Sequence, residues 1–194
     1  MIRIIAGSRR SRRVLSLPMS HHVKPISARM RKSVFDIIRP HITGSIFLDL
    51  YAGVGVVGLE ALSRGAQKAV FVDRDPQCLK IIQKNVDNLD FKEAAKVVKG
   101  DILKGLIWLK YYSPEGYDIV YMGPPYRDSE NNPLFYSTKT LELVAKEGLL
   151  SEYGFVVVQH HKKEPLETPQ GFILYRSEKY GDTVVDFVKP AAGK

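Results

Sequence analysis

Apolar residues recur along this chain with two different spacings. From residue 44 onward, short β-branched runs, Ile46–Leu50, Ala69–Asp73, Val97–Gly100, Asp118–Met122 and Phe155–Gln159, read as strands. Between them lie helical patterns such as Gln77–Leu89, where Leu79, Ile82, Val86 and Leu89 share one face. Strands this apolar, separated by helices, predict a mainly parallel sheet with helices on both faces. Phe172–Arg176 and Thr183–Val188 follow each other with no helix between them and are expected to form an antiparallel edge hairpin. Upstream, Ile2 and Ile4 on one side and Val14, Leu15 and Leu17 on the other flank the turn residues Gly7–Ser11 like a small β-hairpin. Pro25–Ile38 then reads as a helix with Ser27 at its N-cap and a stop at Pro40. In it Met30, Val34, Ile37 and Ile38 face inward, with Arg29, Lys32 and Asp36 elsewhere. The expected organisation is an N-terminal hairpin and helix over residues 1–40 and an α/β domain over 41–194, with the junction near residues 40–44.

A chain of 194 residues, 44% hydrophobic and 26% charged, is neither disordered nor collagen-like. Its single cysteine, Cys78, excludes a disulfide scaffold and a cysteine-rich zinc module, and a reduced, cytoplasmic setting is expected. No apolar run reaches the ~18–20 residues of a membrane span, and the opening MIRIIAGSRRSRR lacks the apolar core of a signal peptide. Nothing points to an obligate dimer, so a monomer is expected. The net charge of +8 is concentrated: residues 1–39 hold ten basic residues against one acid, Asp36, while the rest is nearly neutral. A segment this rich in arginine suits phosphate. Arg9, Arg10, Arg12 and Arg13 at the hairpin tip, with Arg29 and Arg31 on the helix, are the candidate nucleic-acid contacts. A solvated tail would carry the same charge, but not the apolar pattern around it.

Candidate chemistry begins at Asp49-Leu50-Tyr51-Ala52-Gly53-Val54-Gly55-Val56-Val57-Gly58. A glycine-rich turn leaving the first long strand and opening a helix brings backbone close to a ligand, here at Tyr51, Ala52, Gly53 and Gly55. Asp73, at the end of the next strand and 20 residues after Gly53, stands where a carboxylate grips a ribose diol. The glycine pattern alone also fits a dinucleotide. Asp49 argues otherwise: just ahead of the turn it would repel a pyrophosphate, yet it attracts the ammonium of an amino-acid-like cofactor such as S-adenosylmethionine (SAM). The competing reading of Asp49 is a carboxylate capping the turn. Gly100-Asp101-Ile102, after the third strand, lies where an adenine would be recognised, although Asp101 equally suits a helix N-cap.

The fourth strand runs into Gly123-Pro124-Pro125-Tyr126, a stiff loop at the rim where open α/β sheets bind ligands, with Tyr126 offering a flat face to a base. A SAM-type glycine turn followed by Pro-Pro-Tyr resembles the class I amino-methyltransferases, whose signature is Asp/Asn-Pro-Pro-Tyr/Phe. Further blocks carry a closer likeness: Arg3-Ile4-Ile5-Ala6-Gly7, Pro25–Arg31 with Ser33-Val34-Phe35-Asp36, Leu48–Gly55, Gly58-Leu59-Glu60-Ala61-Leu62-Ser63-Arg64-Gly65-Ala66 and Tyr180-Gly181-Asp182-Thr183. Together they resemble the bacterial small-subunit rRNA guanine-N2 methyltransferase D family over nearly the whole chain. The resemblance implies a Rossmann-like fold, SAM as cofactor with no metal, and methyl transfer to the exocyclic N2 of a guanine in 16S rRNA within the small subunit or its assembly intermediate. It also implies Tyr126 stacking on an unstacked base, the Pro124 carbonyl accepting an amine hydrogen, and the glycine turn with Asp73 and Asp101 holding the cofactor.

The chain departs from that signature at Gly123, where the family carries Asp or Asn, and at Gln159, where it usually carries Glu. Losing a positioned proton acceptor costs about 10²–10⁴ in rate. The Pro124 carbonyl acting alone, an acceptor from elsewhere such as Asp128, and binding without catalysis are the three readings of Gly123. The pairs His21-His22 and His160-His161 lack partners at metal-ligand spacing. Cys78 reads as packing, and Trp108, Tyr111 and Tyr112 as core and rim. Two other functions remain: an amino-methyltransferase acting on DNA or on a protein glutamine, and a noncatalytic RNA-binding assembly factor. A dinucleotide oxidoreductase ranks last, because no hydride-transfer acid or base stands beside the turn.

Overall fold

The computed structural model describes residues 2–17, 26–128 and 130–191; His21, His22 and Pro25 therefore lie outside the described residues. A seven-stranded sheet forms the centre, built from β3 (Ile46–Leu50), β4 (Lys68–Asp73), β5 (Ala95–Lys99), β6 (Tyr117–Met122), β7 (Leu150–His161), β8 (Phe172–Tyr180) and β9 (Thr183–Pro190). Their order across the sheet is β5-β4-β3-β6-β7-β9-β8. The first five run parallel, and β9 and β8 complete the edge antiparallel. This is the expected mainly parallel sheet with its edge hairpin.

Alternation along the strands assigns residues to two cores. Phe47, Phe71, Tyr121, Val157 and Phe187 pack with α1 (Ala28–Ile37), α2 (Val56–Ser63) and α3 (Pro76–Asn88). Leu48, Leu50, Val70, Val120, Val156 and Val158 face the opposite way, toward Leu141 and Val144 of α4 (Ser137–Lys146). Helix starts are fixed locally. Ser27 Oγ accepts from the Met30 N–H, and Asp75 accepts from the Gln77 N–H with Pro76 as the first helical residue.

The N-terminal hairpin is smaller than its sequence pattern suggests: β1 is Ile2–Arg3 and β2 Arg13–Val14, paired antiparallel. Ile4, Val14, Val34 and Phe35 join the same core as α2 and α3, so hairpin and α1 are docked on the larger unit. The dock is tight: a Cβ at Gly7 would lie 1.7 Å from the Ser63 carbonyl oxygen. Trp108, Tyr111 and Tyr112 lie in and just after a 3-10 turn over Ile107–Tyr111. Among the described residues no helix is long and apolar enough to cross a membrane.

Candidate functional site

Strand register builds the site. Asp49 pairs with Tyr121, and Leu50 with Met122, across β3 and β6. Both strands therefore end at the same level, and the turn starting at Tyr51 lies beside the loop starting at Gly123. The turn is wound through left-handed residues, Tyr51 (φ 61°), Gly53 (φ 56°) and Gly55 (φ 79°). Tyr51 holds this conformation, uncommon for a bulky side chain, while its hydroxyl hydrogen-bonds Thr140 Oγ1 of α4 at 2.7 Å. Burial raises the Tyr51 phenol to about 12. Gly58 presses α2 onto the sheet, since a Cβ there would sit 2.3 Å from the Phe71 ring.

Asp49 is buried, and its Oδ2 accepts from the Gly58 N–H at 2.9 Å. It thus caps the turn, one of the two roles expected of it. One backbone donor does not offset its burial, which pushes the carboxyl up to about 8 despite that hydrogen bond. A buried carboxylate with no cation beside it among the described residues suits a positively charged ligand group at the turn. Asp73 Oδ2 accepts from the Gly53 N–H (2.8 Å) and Oδ1 from the Asp75 N–H (2.9 Å). Each oxygen keeps a lone pair for a hydroxyl, and burial holds this carboxyl above its ordinary range. Asp101 caps the short turn Ile102–Lys104 by accepting from the Leu103 N–H, its Oδ2 3.8 Å from Lys104 Nζ. Next to it, Trp108 closes over Gly100 and donates to the Gly105 carbonyl.

On the other side of the cleft, Tyr126 is half-buried. Its hydroxyl accepts from Gln159 Nε2 (2.8 Å), makes a long contact with Thr183 Oγ1 (3.5 Å), and its ring meets His161 edge-on. The Tyr121 hydroxyl donates to Gln159 Oε1. Gly123 does not adopt the left-handed conformation, and the nearest atoms a Cβ there would meet are Tyr121 Cε1 at 3.5 Å and Gln159 at 3.8 Å, which is ordinary contact. Position 123 therefore has room for a side chain. Pro124 is buried and Pro125 exposed in the same loop.

Two expectations are corrected. Asp128 is not a spare acceptor: its oxygens hold the Glu130 and Asn132 N–H groups and Asn132 Nδ2, closing its own turn. Arg31 is no phosphate contact, being 2% exposed, 3.4 Å from Glu60 and hydrogen-bonded to the Arg3 carbonyl. Of the other arginines, Arg9 Nε donates to the Leu89 carbonyl and Arg12 Nη2 to the Asn88 carbonyl, whereas Arg10, Arg13 and Arg29 are exposed. Sequence reasoning missed Tyr121, Thr140 and Thr183 as site residues. The two-residue alternation linking Tyr121 to Gly123 and Val157 to Gln159 was the available signal for the first. Among the described residues no three His, Cys, Asp or Glu side chains gather as a metal group.

A mainly parallel sheet with this strand order, a glycine turn and a Pro-Pro-Tyr loop at adjacent strand ends define a Rossmann-like methyltransferase fold. The candidate methyltransferase yhhF of Escherichia coli superposes with a TM-score of 0.79 at 27% identity, covering 99% of each chain. The family model described as conserved hypothetical protein 95 matches residues 2–189. A Bacillus subtilis candidate rRNA methyltransferase, YlbH, is 31% identical over 97% of this chain and 98% of its own. Ribosomal RNA small subunit methyltransferase D of Escherichia coli K12 is 30% identical over 93% of this chain and 85% of its own. The chain belongs to this methyltransferase D family.

Proposed function

We propose that the protein transfers a methyl group from SAM to the exocyclic N2 of a guanine in 16S rRNA, acting on the small ribosomal subunit or its assembly intermediate. The observation that carries the reading is the β3/β6 register, which sets a cation-seeking glycine turn beside a loop bearing an aromatic face. Bound SAM supplies an electrophilic methyl on a cationic sulfur. Asp49 favours the positive charge of the cofactor's ammonium group, Asp73 accepts from a ribose diol, and the backbone of Tyr51 to Gly55 lies close to the ligand.

The guanine N2 lone pair is delocalised into the ring and is a poor nucleophile. Tyr126 stacks on the unstacked base, and the Pro124 carbonyl accepts one amine hydrogen, turning the lone pair toward the methyl. The N–C bond forms as the S–C bond breaks, its electron pair stays on sulfur, and the amine proton leaves to solvent. Gly123 adds no side-chain acceptor, so transfer is slow, by about 10²–10⁴ relative to a site with one. Exposed Arg10, Arg13 and Arg29 hold RNA phosphates. Gly123 also favours a second reading, a SAM- and RNA-binding assembly factor that does not catalyse.

The test is transfer of labelled methyl from SAM to unmethylated small subunits by the protein and by Gly123→Asp, with the product nucleoside identified. N2-methylguanosine from both, faster from the variant, supports the enzyme. Label from the variant alone makes the protein a binder. No label from either, with S-adenosylhomocysteine (SAH) failing to raise Tm, removes both readings.

A further inference from the structure

Gln159 lies on β7 opposite Val185 of β9, on the sheet face that also carries Asp49 and Tyr121. Its amide joins two phenols that differ in burial. Tyr121 is 4% exposed, wedged between Asp49 and Val157 by the register of β3, β6 and β7. Tyr126 stands in the loop at the strand ends, half-buried. Gln159 Oε1 accepts from the Tyr121 hydroxyl and Gln159 Nε2 donates to the Tyr126 hydroxyl at 2.8 Å. The only other side-chain partner of the Tyr126 hydroxyl among the described residues is Thr183 Oγ1 at 3.5 Å, the outer limit of a hydrogen bond. The Gln159 side chain also borders the open space beside Gly123, 3.8 Å from where a Cβ would stand.

We infer that Gln159 is a positioning residue: by tying the Tyr126 hydroxyl to the immobile Tyr121, it fixes the aromatic face against which the reacting base must lie. This rests on the methyl-transfer reading. The requirement is for a group that bonds both hydroxyls at once. An amide accepts from one and donates to the other, and a carboxylate accepts from both. An alkyl group does neither and leaves the Tyr126 ring held by one long contact and the edge of His161. Without a fixed ring the base samples poses away from the methyl, a loss that appears in turnover rather than in cofactor binding.

The experiment measures kcat and KM for transfer to unmethylated small subunits, and SAH affinity by calorimetry, for Gln159→Leu, Gln159→Glu, Tyr126→Phe and Gln159→Leu with Tyr126→Phe. Each is made in the natural chain and in a Gly123→Asp background. Gln159→Leu is expected to lower kcat about tenfold or more with SAH affinity unchanged, Gln159→Glu to restore it, and the double variant to be no worse than the worse single. Full turnover in Gln159→Leu, failure of Gln159→Glu to rescue, or additive losses would overturn the inference while leaving methyl transfer standing. No transfer in either background overturns both. A readout free of activity uses 3-fluorotyrosine labelling, with the Tyr126 resonance assigned by its loss in Tyr126→Phe. Its phenol should titrate at higher pH in Gln159→Leu, because a donor to the phenolate is gone, and an unchanged titration removes the bridge itself.

Discussion

Arg31 Nε lies 3.4 Å from Glu60 Oε2, and both side chains are buried, 2% and 0% exposed. Glu60 also accepts from the Ile5 and Ala6 N–H groups and from Arg64 Nε. One carboxylate of α2 thus fastens the hairpin, α1 and its own helix end. Removing it by Glu60→Ala leaves a buried guanidinium uncompensated and two backbone donors unpaired, an expected loss of about 3–5 kcal/mol. Glu60→Gln, which keeps one amide oxygen, should lose less. Urea unfolding measures both, and hydrogen exchange at Ile5 and Ala6 should quicken in step. A Glu60→Ala midpoint equal to the parent's would mean the dock is held by apolar packing alone.

If Asp49 faces the cofactor as proposed, binding should depend on pH. Its carboxyl, raised to about 8 by burial, is largely protonated in the free protein at neutral pH. A cationic ligand group at the turn favours the carboxylate, so binding expels a proton. Affinity for SAH should then rise with pH through about 8 and level off above it, and calorimetry in buffers of different ionisation enthalpy should show proton release. Asp49→Asn should bind more weakly and lose the pH dependence. For the free protein the sign is opposite: a raised carboxyl pKa disfavours folding progressively from about pH 4 to about pH 8, so Asp49→Asn should raise Tm more at pH 8 than at pH 5. Equal SAH affinity of the two proteins at all pH values would reduce Asp49 to a turn cap.

Continuous apolar, β-branched runs and period-3.6 stripes fall on real elements here, because the sheet is buried on both faces and α1, α3 and α4 each pack one face. Strand ends shifted by a few residues: Phe155–Gln159 extends to Leu150–His161, since β9 pairs on through His160 and His161 at one end and Leu150 pairs with Tyr117 of β6 across a register shift at the other, neither of which local pattern reveals. The glycine turn and the Pro-Pro-Tyr loop were legible because they are local. Which charged group holds what was not, since Asp128 and Arg31 are defined by turn or long-range contacts that leave no trace in spacing. Gln159 stood out as a residue but not as a bridge, because its partners lie 38 and 33 positions away along the chain.

The burial of Arg31 separates the basic segment into arginines that hold the fold and arginines that face solvent, and this separation can be measured. Arg9 and Arg12 donate to carbonyls at and just beyond the end of α3, so their substitution mixes docking with RNA contact. Arg10 and Arg13 are exposed, so Arg10→Ala and Arg13→Ala should leave the unfolding free energy within about 0.5 kcal/mol of the parent while weakening RNA binding. Each lost phosphate contact should flatten the plot of log affinity against log salt by roughly 0.7–0.9. Arg31→Met should do the reverse, lowering stability with the salt slope unchanged in the fraction that stays folded. Salt slopes of Arg10→Ala and Arg13→Ala equal to the parent's would place the RNA path elsewhere on the surface, with exposed Arg29 on α1 the next residue to neutralise.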